Sequence, residues 1–283
     1  IAGADVFVSN MRAPALRRLG LDHETLAPRF PRLIHCVCYG YSERGPYAGR
    51  PAIDDTIQAA SGLAWLQGAR GAEPPRYVNS VVADKTVALY VSNAIACALY
   101  ARERTGTGQS IEVPMFECMV AFLAPEHLAG RSFVPAEGEA GYARLLNDYR
   151  RPFATRDGYL SVVPYTDAQW RRFFALAGDP GMADDPRYCT ARDRSRHFPE
   201  LYRYVEDTLR TRTTAQWLAA LETADIPFAP VHSFDDLLAD PHLGQAGIPV
   251  HFGATPGDVR RHAPGLGEHT EEVLGGRTWS TPR

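Results

Sequence analysis

The apolar run from Leu33 to Cys38 constrains the fold more than any other segment. It reads Leu33-Ile34-His35-Cys36-Val37-Cys38 and ends at Tyr39-Gly40-Tyr41. A short, continuously apolar strand is typical of a parallel sheet whose faces are covered by helices. A strand over Asp5–Asn10 and helices over Pro14–Leu19 and His23–Ala27 precede it. This strand–helix–strand order predicts an α/β fold with a Rossmann-like parallel sheet.

The remaining segments predict two domains and a tail. The first half is completed by helices over 54–66 and 86–104, a strand over 109–113 and a helix over 114–128. Two strands, Tyr149–Thr155 and Tyr159–Val163, then flank the turn Arg156–Gly158 and begin a second unit. We therefore expect a large domain over 1–130, a crossing linker over 131–148 and a smaller α/β domain over 149–228. The segment 229–283 is expected to return to the large domain.

Composition narrows the class of protein. The chain has 283 residues and a net charge of −3, which argues against a nucleic-acid surface, since such a surface needs a basic stripe. Five cysteines, an odd number without a Cys/His cluster, favour free thiols in a reducing compartment and predict no metal site. With no apolar run of 18 residues and no signal peptide, we expect a cytoplasmic protein without a membrane partner. The chain starts without Met just before a strand, as if cut from a longer protein.

Asp84 is the candidate catalytic residue. It lies between an extended stretch, Tyr77–Val82, and an apolar helix predicted to begin at Thr86. In that position the carboxylate is expected to face the free backbone N–H groups of the helix start and to stay ionised at neutral pH. An ionised, partly desolvated carboxylate can attack an activated carbonyl. The alternative is an ordinary N-cap, because Asp is a preferred cap residue.

Several stretches, taken in order, cover nearly the whole chain and resemble the class III (family III, CaiB/BaiF-like) CoA-transferases, which include formyl-CoA:oxalate CoA-transferase and related acyl-CoA racemases. They are NMRAPALRRLG at 10–20, CYGYSERGPY at 38–47 with its continuation to residue 62, and VAD at 82–84 with RERTGTGQ at 102–109. APVHS at 229–233, DPH at 240–242 and LGEHT at 266–270 are also similar to this family.

The resemblance implies a CoA-transferase of acyl-CoA metabolism in which Asp84 is the nucleophile. CoA would pass from an acyl-CoA to a free carboxylic acid through an aspartyl anhydride and an aspartyl-CoA thioester. The CoA thioester is a substrate, and no prosthetic group is implied. The family's interlocked homodimer is the implied assembly. By similarity, CoA contacts fall on Asn10, Met11, Arg12, Arg18, Cys38, Tyr39, Gly40, Tyr41, Ala52, Ile53 and Asp54.

The chain departs from the family in three ways. Where the racemase branch has a histidine, this chain has Ile53, which cannot move a proton at the α-carbon. The family's glycine-rich shielding loop has no matching run here; Gly138, Gly141 and Tyr142 lie in roughly that region. The first βαβ stretch of the family is also missing from the sequence. The alternatives are an acyl-CoA racemase or epimerase, against which Ile53 argues, and a truncated, non-catalytic homologue.

Four other titratable residues are interpreted structurally first. Asp167 lies near an acidic position of the racemases but is interpreted as a helix N-cap. His127 follows Glu126 near a helix end and is interpreted as a surface or packing histidine. Asp54 and Asp55 are adjacent and do not face each other on a helix, so we expect a helix start there, with Asp54 in contact with CoA.

Overall fold

The computed structural model describes residues 1–68 and 73–275, and the chain divides into two compact units. Unit 1 comprises Ile1–Arg151 and Pro186–Tyr204; unit 2 comprises Pro152–Asp185 and Val205–Arg283. The domain boundaries given by the sequence stay a prediction, as does the return of segment 229–283 to the large domain. The last eight residues of that segment lie outside the described residues.

Unit 1 contains a parallel three-stranded sheet in the order β1-β2-β3. Val6 pairs with Ile34, and His35 pairs with Ser110. This sheet and its crossover helices confirm the predicted α/β class. The elements are β1 (Val6–Ser9), α1 (Ala13–Leu19), α2 (His23–Leu26), β2 (Ile34–Val37), α3 (Asp54–Ala60), α4 (Leu63–Gln67), α5 (Val82–Thr105), β3 (Ser110–Glu112), α6 (Met115–His127), α8 (Ala191–Arg196) and the first part of α9 (Phe198–Leu209).

The core of unit 1 explains why the central strand is largely apolar. Every residue of β2 is buried. The buried cluster joins this strand to α3, α5 and α6, and apolar area removed from water is the main stabilising term of such a core. Its members are Cys36, Ile57, Leu63, Ala83, Val87, Val113, Met115, Met119 and Leu123.

The helix predicted over residues 54–66 is two helices. α3 ends at Ala60 and α4 begins at Leu63. Gly62 lies between them with φ +90°, a left-handed conformation that a residue with a Cβ rarely adopts. The single-helix prediction is therefore wrong, because the glycine forms a turn rather than a helical position.

α5 is the longest helix, with 24 residues. It is the one helix of the described chain long and apolar enough to cross a membrane by length and composition alone, a test that the core helix of a soluble protein also passes. Only 17% of its most apolar 18-residue window is buried within this chain. Leu89 and Tyr100 are 72% and 66% exposed. The single chain thus leaves an apolar face of α5 uncovered.

Unit 2 contains an antiparallel sheet in the order β4-β5-β6. Trp170, Phe173, Phe174 and Trp217 are fully buried beside it or among its helices. The prediction that Asp167 is an N-cap is wrong: Thr166 is the N-cap of α7, and it forms a capping box with Gln169. The elements are β4 (Phe153–Ala154), β5 (Tyr159–Val162), α7 (Asp167–Ala177), the end of α9, α10 (Thr214–Thr223), β6 (Phe228–Pro230), α11 (Phe234–Leu238), α12 (Pro241–Ala246) and α13 (Thr270–Leu274).

Candidate active site

The candidate site lies at the carboxyl edge of the parallel sheet in unit 1. β1 ends at Ser9 and β2 at Val37, so the predicted segments 10–12 and 38–41 directly follow two neighbouring strands. The backbone N–H of Cys38 donates to the carbonyl of Ser9 at 2.9 Å. Ligands of open α/β sheets bind in the crevice outside this edge. The two predicted segments therefore lie where the fold places ligands.

Asp84 lies inside the first turn of α5 rather than at its N-cap. The helix begins at Val82, four residues before the predicted start, and Val81 is the N-cap. Tertiary packing explains the difference, since Ala83 and Val87 are buried in the core and draw this turn into the helix. The alternative interpretation of Asp84 as an ordinary N-cap is wrong, but the residue remains next to the free N–H groups of a long helix start.

A buried carboxylate from another helix caps α5. The backbone N–H of Asp84 donates to Oδ2 of Asp54 at 3.0 Å. Nε2 of Gln58 donates to Oδ1 of the same carboxylate at 2.5 Å. Asp54 is the first residue of α3 and is 5% exposed, whereas Asp55 is exposed. The predicted helix start at Asp54 is confirmed, and each of its carboxylate oxygens accepts a protein hydrogen bond.

Gln58 is a site residue that the sequence interpretation missed. It is 1% exposed, its Nε2 also donates to the carbonyl of Ser80 at 3.2 Å, and its Oε1 accepts from the backbone N–H of Val78 at 2.9 Å. Gln58 thereby ties α3 to the loop that leads into α5. The available signal was its position four residues after Asp54, on the same helix face.

The electrostatic surroundings of Asp84 change how readily its carboxylate takes up a proton. Partial loss of hydration, and then the negative charge of Asp54, raise the pKa of Asp84 above its usual value. The Asp84 side chain is nevertheless exposed in the single chain. A more basic carboxylate is a better nucleophile once it is ionised.

Cys38 lies close enough to Asp84 to respond to its charge. Burial, the neighbouring Cys118 and Cys36, and the charge of Asp84 raise the pKa of the Cys38 thiol to about 11. Cys38 packs against the same buried cluster as Ala83. The structure thus brings Cys38 and Asp84 together, and it keeps the thiol protonated at neutral pH. All five cysteines lie in the described part of the chain and are free thiols.

Gly40 allows a close approach between two predicted CoA-binding segments. A Cβ at this position would lie 2.2 Å from the Cβ of Ala52, so no larger residue fits without displacing the segment that leads into α3. The Gly40 carbonyl accepts from the N–H of Phe116 at 3.0 Å. The structure therefore brings Gly40 and Ala52 together and anchors them to the start of α6.

Tyr39 and Tyr41 lie in different surroundings. Tyr39 lines a cavity of about 150 Å³ together with Arg17, His35 and Ser110. The Tyr41 ring packs edge-on against Tyr47, with ring centroids 5.3 Å apart. The two tyrosines do not form one sandwich, so they cannot flank the same group in this arrangement.

The remaining predicted CoA contacts lie on the surface. Asn10, Met11, Arg12, Arg18 and Ile53 are exposed. Arg12 Nη1 donates to the Gly49 carbonyl at 3.5 Å, and Ile53 is the N-cap of α3. Arg18 lies in the last turn of α1, about 8 Å along the helix axis from its first residue.

The region compared with the family's shielding loop is an ordered, compact segment. Gly141 N–H donates to the carbonyl of His127 at 2.7 Å, and Tyr142 N–H donates to Nδ1 of His127 at 3.3 Å. A Cβ on Gly130 would lie 2.5 Å from the backbone of Gly138, so the backbone at these two glycines is in close contact. His127 therefore has a packing role in this chain.

Across residues 1–68 and 73–275, no group of three or more His, Cys, Asp or Glu side chains is arranged to hold a metal ion. The chemistry available at the candidate site is that of a carboxylate and backbone N–H groups.

Comparison with known proteins assigns the chain to a family. The family model described as CoA-transferase family III matches residues 1–270. The chain belongs to CoA-transferase family III. The structure is similar to that of a CAIB/BAIF family protein from Brucella suis, with a TM-score of 0.78 and 28% identity, covering 97% of this chain and 75% of the other. Family membership and this likeness confirm the resemblance and the fold class.

Two curated relatives show how much of the family's length is present. An acyl-CoA transferase of Fusarium pseudograminearum is 30% identical over 97% of this chain and 64% of its own length. A succinate–glutarate CoA-transferase of Agrobacterium fabrum is 29% identical over 96% of this chain and 72% of its own length. The sequence thus spans roughly two thirds of the family III relatives that it matches.

Proposed function

We propose that this family III chain transfers CoA from an acyl-CoA to a free carboxylic acid, with Asp84 as the nucleophile. The observation that carries the proposal is the position of Asp84 in the first turn of α5, held through its own N–H by Asp54 beside the sheet's carboxyl edge. The names of the curated relatives agree with this reaction class. The donor and acceptor acids are to be found by experiment.

In the proposed reaction CoA passes through Asp84 in two stages: the first releases the donor acid and the second activates the acceptor acid. An Asp84 oxygen attacks the thioester carbonyl, the C–S bond breaks, and CoA leaves as a thiolate, giving an acyl–aspartyl anhydride. The thiolate attacks the aspartyl carbonyl, which releases the donor acid and forms an aspartyl-CoA thioester. The acceptor carboxylate then attacks this thioester, and the released thiolate attacks the acceptor's acyl carbonyl. Asp84 is regenerated, and no proton, oxidant or metal is consumed.

Backbone N–H groups at the start of α5 are the proposed electrophilic support. A free N–H at a helix start is oriented and carries partial positive charge, so it stabilises the oxyanion of each tetrahedral intermediate.

The proposed CoA contacts are those at the sheet edge and on the surface around it. They are Asn10, Met11, Arg12, Arg18, Cys38, Tyr39, Gly40, Tyr41, Ala52 and Ile53.

Exclusion of water is proposed to depend on a second copy of the chain. Asp84 is exposed in the single chain, and an anhydride in contact with water would be hydrolysed. The uncovered apolar face of α5, with Leu89 72% exposed, supports burial against a partner. We propose the interlocked homodimer of the family as that assembly, in a cytoplasmic setting.

The catalytic proposal is tested by trapping the intermediate. The full-length protein is incubated with succinyl-CoA, quenched with hydroxylamine, and its peptides are mapped by mass spectrometry; glutaryl-CoA formation is followed on adding glutarate. A panel of other acyl-CoA donors follows under the same conditions. We expect a hydroxamate at Asp84 with at least one donor, and its loss in Asp84→Ala. Modification elsewhere, or turnover by Asp84→Ala, would refute the proposal.

The two alternatives give different results in the same experiment. An acyl-CoA racemase exchanges the α-proton of a 2-methylacyl-CoA with solvent deuterium and transfers no CoA. The exposed side chain of Ile53 has no titratable group, which argues against this alternative. A non-catalytic homologue gives neither exchange nor an adduct.

The assembly is tested separately by light scattering. We expect twice the chain mass for the wild type and a single-chain mass for Leu89→Glu, since a charge in a buried apolar interface is costly. Glu24→Gln, a change at an exposed acid outside α5, serves as the control. A monomeric wild type contradicts the dimer.

A further inference from the structure

The start of α5 is held by a side chain that is distant in sequence. Within the described part of the chain, the N-cap Val81 contributes no side-chain cap, and Asp54, 30 residues before Asp84, accepts the N–H of Asp84 instead. A helix start leaves several N–H groups without intrahelical partners, and a carboxylate is a strong acceptor for them. The direction of the first turn is therefore set by the position of α3.

The Asp54 side chain is itself fixed. Its second oxygen accepts from Gln58, whose amide can have only one orientation: Nε2 faces the carboxylate and the Ser80 carbonyl, and Oε1 faces the N–H of Val78. Turning the amide over would place Oε1 against two acceptors. Both residues are at least 95% buried, so water cannot easily replace these bonds. The pair forms a rigid support beneath Asp84.

We propose that Asp54 is a positioning residue, locked by Gln58, which holds the backbone of Asp84 and so aims its carboxylate at the acyl carbonyl. Asp54 then supports the nucleophile through its backbone. The family resemblance had instead implied that Asp54 contacts CoA. Its catalytic meaning rests on the proposed function, whereas the structural part does not. Gln58 acts one step further away, through Asp54.

The charge of Asp54 gives the support a measurable signature. The charged or titratable groups near Asp84 are Asp54 on α3, Cys38 after β2 and Lys85 on α5 itself. Lys85 Nζ donates to Ser80 Oγ at 2.9 Å. Asp54 is the one whose negative charge raises the pKa of Asp84. Removing that charge must therefore lower the pH at which Asp84 titrates.

The direct test is an NMR titration of the full-length protein with ¹³C-labelled aspartate carboxyl groups, the Asp84 signal being assigned by its loss in Asp84→Asn. We expect Asp54→Asn to move the Asp84 titration to lower pH and to shift the Asp84 amide signal upfield, since a neutral amide is a weaker acceptor. Asp55→Asn removes the same charge from the adjacent, exposed position and is expected to change both signals much less. Equal effects of the two variants would overturn the proposal.

The kinetic test uses the best donor found for the wild type. Misplacing a nucleophile by a fraction of an ångström is expected to lower kcat about 10- to 100-fold in Asp54→Asn with little change in the KM for acyl-CoA. The acid limb of the kcat profile should move to lower pH. A rise in KM with unchanged kcat would instead mean that Asp54 binds CoA, and it would refute the positioning role.

The claim that Asp54 supports Asp84 can be tested even if no catalysis is found. If no donor is turned over, the NMR titration still decides whether Asp54 supports Asp84. If Asp54→Asn does not fold, the wild type alone suffices: the proposal requires Asp84 to titrate above the ordinary aspartate value of 3.8 and to show a low-field amide signal. An ordinary titration with an ordinary amide signal would reject it.

Discussion

Helix α5 in unit 1 and helices α7 and α10 in unit 2 begin in different ways. α7 and α10 each start with a threonine that forms a capping box with a glutamine three residues later. α5 starts at Val82 with a carboxylate from another helix as its cap. A local cap holds a helix start whatever surrounds it. A distant cap instead fixes the start of α5 to α3, and with it the one carboxylate that the proposed reaction needs.

The largest effect is expected at Asp84. Asp84→Ala should lower CoA transfer on the order of 10³-fold or more, because the covalent route is lost. Its effect on unfolding should be small, because the side chain is exposed. Turnover with the donor found for the wild type and urea unfolding measure the two quantities. A variant that loses stability and activity together would mean that Asp84 is chiefly structural. The start of α5 would then not differ in role from the starts of α7 and α10.

The distant cap should contribute more to stability than a local one. Asp54→Ala removes the acceptor of the partly buried Asp84 N–H and one of the two acceptors of the buried Gln58 Nε2, which costs about 2–3 kcal/mol of unfolding free energy in unit 1. Peptide-resolved hydrogen exchange should show faster exchange at the start of α5 and in the loop around Ser80. Unchanged protection there would show that α5 does not depend on α3.

The local caps provide the matched comparison. Thr213→Ala removes the acceptor for the Gln216 N–H and is expected to cost about 1 kcal/mol, confined to unit 2. CoA transfer should stay within a factor of about two, because the change lies in the other unit. Unfolding and turnover of this variant sharpen the contrast. A large loss of turnover would show that the helix starts of unit 2 also serve the reaction.

The smallest expected effect is an opposite pH response of two aspartates. Asp84 has a pKa raised above 3.8, so the folded state holds its proton more tightly and this contribution to stability falls as pH rises from about 3.8 through the folded value. The N–H and hydroxyl of Thr214 lower the pKa of Asp157, so its contribution is present above 3.8 and is lost as pH falls through the lower folded value. The free energy of unfolding of Asp84→Asn and of Asp157→Asn is measured between pH 3 and 7, each as a difference from the wild type. The two differences should change with pH in opposite directions.

The parallel sheet was predictable because β2 is buried along its whole length and three of its four residues are apolar. The start of α5 was not, since the Val81-Val82 pair favours extended backbone and only the packing of Ala83 and Val87 makes it helical. Asp54 was correctly placed at a helix start. Its connection to Asp84 depends on a contact across 30 residues, which local patterns do not contain.

The high pKa of Cys38, about 11, has a chemical consequence for an acylated Asp84. A thiolate next to an anhydride would intercept the activated group and leave a dead-end protein thioester. Burial, the largest cause of the raised pKa and one that acylation of Asp84 leaves in place, keeps the thiol protonated at neutral pH, so the sulfur is a poor competitor for the bound cofactor's own thiolate. The apolar packing that stabilises β2 thereby also protects the proposed enzyme from self-acylation.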